Sequence, residues 1–92
     1  MAAMNKAYVR CEVHLGLFDS EYFVLVNGSS AYYVNRQDVE VSSVPTSKGV
    51  EGKVVAYVVQ ERAGKTLVQL PGEAAVGGLR TWVESGAVAS VA

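Results

Sequence analysis

This 92-residue chain predicts an all-β fold, from three observations. Valine leads the apolar set and tyrosine follows, and both suit a pleated, half-buried surface. Apolar and polar residues alternate with a period of two over Tyr8–Leu15, as they do along a strand with one face on a core. No window holds a sustained 3.6-residue apolar repeat with capping residues, so no long helix is expected.

The elements follow in chain order. Over Tyr8–Leu15, residues Val9, Cys11, Val13 and Leu15 share one face, and Tyr8, Arg10, Glu12 and His14 share the other. Gly16, Asp19 and Ser20 then form a turn. Glu21–Val26 is a strand with apolar residues on both faces. Asn27-Gly28 closes a hairpin, because both residues tolerate positive φ. A short strand at Ala31–Val34, a polar turn at Asn35–Gln37 and a closing strand at Asp38–Val41 come next. Serines, a proline and glycines then mark a connector over residues 43–52. Lys53–Gln60 is a strand, ERAGK turns with Gly64 in the left-handed region, and TLVQL returns. Pro71-Gly72 stops that strand, LRTWV is another, and AVASV closes the chain.

Composition narrows the function classes. The chain is long enough for one core and is read as a single domain, 1–92. Half of the residues are apolar and 18% are charged, which excludes a disordered chain. The formal net charge is −1, without the basic excess that drives phosphate binding. A lone cysteine, Cys11, excludes an intramolecular disulfide. No signal-peptide pattern opens the sequence and no apolar run reaches membrane-spanning length, so the expected setting is the cytoplasm, away from membranes.

Two phrases of the sequence match each other. Val24, Val26 and Gly28 lie over Val68, Leu70 and Gly72 at an offset of 44. Tyr33, Val34 and Val39 lie over Trp82, Val83 and Val88 at an offset of 49. This defines two units, 8–42 and 53–92, joined by the connector 43–52. Units below about 40 residues seldom hold a core alone, so the two should share one or be completed by another chain.

Each unit resembles a minimal SH3-like barrel: hairpin, strand with an aromatic–valine pair, one 3₁₀ turn, final strand. YYVNRQDV and TWVESGAV stand where such barrels have the turn and last strand. GVEGKVVAYV, Gly49–Val58, is similar to the KOW type of SH3-like element, although its glycine spacing differs and no clear basic surface accompanies it. The resemblance implies a small SH3-like barrel built from two similar units, and a scaffold for binding protein, peptide or nucleic acid without choosing among them.

Candidate chemistry is sparse. AGKT at Ala63–Thr66 lacks the first P-loop glycine, since Val59 stands there, and a strand pattern follows it. Cys11 and His14, three residues apart on one strand, point to opposite faces and make no catalytic dyad. One histidine and one cysteine cannot close a zinc site, so no metal or other cofactor is expected. Glu12, Asp19 and Glu21 read as solvated hairpin charge. The informative feature is a surplus of apolar faces. With the core register set by Val9, Val13, Val24 and Val26, residues Phe23 and Leu25 face the other way, as do Val55, Tyr57, Val59 and Leu67 in the second hairpin. Fully exposing such side chains forgoes roughly 1.5–3 kcal/mol for each of the larger ones, which points to a homo-oligomer.

The leading expectation is therefore a non-enzymatic interaction module that associates with itself and with a protein or peptide partner. Its contacts would come from Tyr22, Phe23, Tyr32, Tyr33, Tyr57 and Trp82, the residue types that anchor interfaces. The second reading is a nucleic-acid-binding domain with Lys48, Lys53, Arg62, Lys65 and Arg80 on phosphates and Tyr57 or Trp82 stacking on bases. The third is an enzyme whose site forms between subunits around His14 with Glu12 or a tyrosine.

Overall fold

The computed structural model describes residues 5–46 and 48–90. The chain is all-β, an antiparallel sheet curled into a half-barrel, with nine strands and two single-turn 3₁₀ helices among the described residues. The strands are β1 (Asn5–Leu15), β2 (Glu21–Val26), β3 (Ser30–Asn35), β4 (Val39–Val41), β5 (Val50–Arg62), β6 (Lys65–Gln69), β7 (Glu73–Val76), β8 (Arg80–Glu84) and β9 (Val88–Ser90). The 3₁₀ turns occupy Arg36–Asp38 and Ser85–Ala87. Both fall where the sequence places a polar turn before a closing strand.

The sheet runs β7-β3-β2-β1-β5-β6-β8. β1 and β5 form its central ribbon, paired antiparallel from Asn5↔Val58 to Val13↔Val50. β4 pairs with β5 and β9 pairs with β1, so each short closing strand docks on the first long strand of the other half. One core results. Val9, Val13, Val24, Val26, Tyr32 and Val34 pack with Val54, Ala56, Val68, Leu70 and Val83 in a single buried cluster. Both halves contribute to it, so neither half contains a core of its own.

Turn chemistry sets the hairpins. Asn27 and Gly28 have φ of 53° and 79°, and Ala63 and Gly64 have φ of 51° and 80°. The second pair is a two-residue loop between Arg62 and Lys65, the primed geometry that matches the twist of the strands.

Several elements differ from expectation. β1 begins at Asn5 rather than Tyr8, because residues 5–7 pair with the far end of β5. β5 begins at Val50 rather than Lys53, inside the expected connector, because Gly52 lets the strand lie against the Glu40 carbonyl and the Val13 side chain. β7 lies in a segment between Pro71-Gly72 and LRTWV to which the sequence assigns no strand. All four of its residues are exposed, so no apolar alternation announces it, and its pairing on the β3 edge holds it in place. The last strand ends at Ser90, and Val91 of the expected AVASV segment lies outside the described residues.

Candidate interaction surface

The most exposed apolar group is at the tip of the first hairpin. Leu15 is 51% exposed, Leu17 73% and Phe18 69%. The backbone beneath them is bonded. The Leu17 N–H donates to Glu21 Oε2 at 3.0 Å, the Glu21 N–H donates to Phe18 O at 3.2 Å, and the Arg36 N–H donates to Ser20 O at 3.0 Å. Gly16 sits tightly over Glu21, where a Cβ would meet the Glu21 side chain at 2.7 Å. The turn therefore presents its leucine and phenylalanine from a braced frame. These residues were not among those singled out from the sequence. Leu15 was assigned to the core face, and GLFDS was weighed only for its turn formers. The available signal was two bulky apolar residues placed between Gly16 and Asp19.

A second exposed group lies at the far end of the central ribbon. Trp82 on β8, 37% exposed, faces outward beside its cross-strand neighbour Leu67. The Arg62 guanidinium stands 6.0 Å from the ring centroid, within cation–π range. Lys65 Nζ lies 3.0 Å from Glu84 Oε1, and Arg80 Nε donates to Gln69 Oε1 at 3.0 Å. Val76 and Leu79 in and after β7 are also exposed.

The remaining aromatic candidates separate. Tyr32 has no accessible surface; its hydroxyl donates to Gly78 O at 2.7 Å, and burial pushes its pKa upward against the opposing effect of its Ser30 contact. It is a core residue and belongs to no surface. Tyr22 packs half-buried against the core, with the Arg36 guanidinium 4.6 Å from its ring. Phe23 and Tyr33 are cross-strand neighbours on the outer face with centroids 5.1 Å apart, and His14 meets Phe23 edge-on at 6.5 Å. These three make a half-buried aromatic row across β1, β2 and β3. Tyr57 is half-buried opposite Lys6.

The outward faces expected to be left over are covered in part by the chain itself. Val55 is buried, and Phe23, Leu25, Tyr57, Val59 and Leu67 are half-buried. The apolar surplus lies mainly at the hairpin tip and around Trp82, with Val44 standing alone in the connector. Curling of the sheet explains the shift, since rings lying flat along strands shade their neighbours and a protruding turn shades nothing.

The five candidate phosphate contacts are all exposed. Lys48 lies in the connector and Lys53 at mid-ribbon, while Arg62, Lys65 and Arg80 gather near Trp82. Lys53 faces Arg10 across the ribbon with Glu12 facing Glu51 two residues on, so that face alternates in sign.

Catalytic chemistry finds little footing. Cys11 lies half-buried against the core, and burial pushes its thiol up to about 12 from 9.0, so it is protonated at neutral pH. His14 Nε2 is 3.5 Å from Glu12 Oε1, an electrostatic contact without an aligned hydrogen bond. Gly49 covers both, and a Cβ there would collide with them. Among the described residues, no group of three or more His, Cys, Asp or Glu side chains could hold a metal ion. No helix is long and apolar enough to cross a membrane among those same residues. Comparison with protein-family models, with curated proteins and with solved structures finds no match for this chain.

Proposed function

We propose that the chain is a non-enzymatic interaction module, made of two SH3-like units fused around one core, that associates with itself and with a protein or peptide partner. The observation that carries this reading is the hairpin tip, where Leu17 and Phe18 stand 73% and 69% exposed on a hydrogen-bonded turn. Burying each of two such side chains in a contact is worth roughly 1.5–3 kcal/mol.

The strand registers support the two-unit reading. Val13↔Val24 in the first half corresponds to Val58↔Val68 in the second, and Tyr22↔Val34 corresponds to Thr66↔Val83. Val9↔Val88 corresponds to Val54↔Val39. The bond from the Arg36 N–H to Ser20 O has its counterpart in the bond from the Ser85 N–H to Gly64 O, each 3.0 Å. The β2 and β6 residues follow the sequence offset of 44 and the later ones that of 49, while the β1 and β5 residues correspond at an offset of 45.

The test is light scattering coupled to size exclusion on the native chain and on a Leu17→Ser, Phe18→Ser double variant. The reading expects the native chain to exceed one-chain mass as concentration rises and the variant to stay at it with unchanged circular dichroism. A native chain that keeps one-chain mass throughout would remove self-association from the proposal.

A further inference from the structure

We infer that self-association runs head to tail, with the Leu17/Phe18 tip of one copy seated on the Trp82 end of the next. This deepens the proposed function and rests on its claim of self-association. The argument begins with where the two ends lie. β1 and β5 are antiparallel, so the C-terminal end of β1 adjoins the N-terminal end of β5 at Val13↔Val50. The first hairpin tip extends beyond that end of the ribbon. The β5–β6 turn, Ala63-Gly64, extends beyond the opposite end, five and six residues past Val58 of the Asn5↔Val58 pair. The tips therefore occupy corresponding positions at opposite ends of the central ribbon.

Their chemistry is complementary. From Cys11 to Asn35 the chain has no lysine or arginine, and it carries Glu12, Asp19 and Glu21. Around Trp82, Arg62, Lys65 and Arg80 stand against Glu84, which pairs with Lys65 at 3.0 Å, so the surplus there is basic. One end is apolar with an acidic surplus; the other is aromatic with a basic surplus. Leu15, Leu17 and Phe18 supply aliphatic and ring surface at the head. Trp82 with Arg62 across its face supplies a flat receiving surface at the tail. Asp19 is exposed beside Phe18, and Arg62 is exposed beside Trp82. Docking Phe18 against Trp82 brings these unlike charges together.

The same charges disfavour the alternative of two identical ends in contact. Head on head opposes Asp19 and Glu21 with their own copies, and tail on tail opposes Arg62 and Lys65. Like charges facing across an interface select against it. A heterologous contact between opposite ends does not close on two copies, so it elongates with concentration.

The experiment mixes two full-length variants. The head variant is Leu17→Ser with Phe18→Asp; the tail variant is Arg62→Glu with Lys65→Glu. All four sites are exposed, so circular dichroism is expected to match the native chain. Each variant alone stays at one-chain mass. Mixed in equal amounts, they form a species of two chains and no larger, because each supplies the end the other lacks. The native chain at the same concentration gives a distribution that grows past two. A second arm pairs Asp19→Lys with Arg62→Glu in trans, where the reversed charges are expected to restore association that either change weakens. A native chain that stops at two copies, or a mixture that stays at one-chain mass while the native chain associates, overturns the head-to-tail contact and leaves self-association standing. A native chain at one-chain mass throughout overturns both.

Discussion

Asn27 ties the β2–β3 turn to β8, and replacing it by aspartate tests whether that tie closes the sheet. Its Nδ2 donates to Trp82 O at 2.7 Å and to Thr81 Oγ1 at 3.1 Å. Its Oδ1 accepts from the Ser29 N–H at 3.2 Å and from the Ser29 hydroxyl at 2.8 Å. A backbone N–H can only donate, so the Ser29 contact fixes which amide atom faces β8. Asn27→Asp retains the acceptor side and a side chain that tolerates φ of 53°. It loses both donors and sets a carboxylate against the Trp82 carbonyl. At about 0.5–1.5 kcal/mol for each lost hydrogen bond, the expected cost is about 2 kcal/mol. For a domain of this size that lowers Tm by about 8–16 °C. Thermal melts followed by circular dichroism give the readout. Thr81→Val removes the hydroxyl acceptor and also the 3.2 Å contact with the Ser30 hydroxyl, so its cost should be of similar size. An Asn27→Asp melt within 2 °C of the native one, at roughly neutral pH, would refute the role given to this turn.

Other outcomes follow from the same structure. Ala63 holds φ of 51°, where a Cβ costs about 1–2 kcal/mol, so Ala63→Gly should stabilise by about 1 kcal/mol in urea unfolding. Gly52→Ala should destabilise by about 1–3 kcal/mol in the same assay, because the new Cβ meets the Glu40 carbonyl and a Val13 methyl, whereas Gly86 faces open space and tolerates alanine. The Cys11 thiol is raised from 9.0 to about 12, so between those values the unfolded chain releases a proton that the folded chain retains. Stability is unaffected by this group below pH 9, and it falls as pH rises from 9 towards 12; Cys11→Ala should flatten that fall in alkaline denaturation. The Lys65–Glu84 pair is exposed, and Lys65→Ala should change stability by less than about 1 kcal/mol.

Much of the fold was legible where backbone chemistry is local. The Glu21–Val26 strand follows from its β-rich apolar run between turn formers, and the Asn27-Gly28 and Gly64 turns and the polar turn after Val34 follow from φ preference and turn chemistry. The exchange of closing strands was not legible. β4 and β9 are three residues each, and which long strand receives them depends on contacts from the other half of the chain. β7 escaped for a related reason, since an exposed Glu-Ala-Ala-Val segment is a strand only because the β3 edge pairs with it.

The candidate surface was legible in kind and misplaced in position. An apolar surplus could be counted from the sequence, but which side chains stay uncovered depends on curvature. Phe23, Leu25 and Tyr57 shelter among neighbouring strands, while Phe18 stands exposed on a turn. Trp82 was named from its residue type, and its placement beside Arg62 follows from the β5–β6–β8 register. Tyr32 was named on the same ground and is wholly internal, because its strand position alternates with Tyr33.

Sedimentation equilibrium of the unmodified chain across a wide concentration range tests the central claim most directly. The account predicts an average mass that rises above the 9.8 kDa of one chain and continues past two chains, with the rise abolished by Phe18→Asp. A mass of 9.8 kDa at every concentration would contradict it.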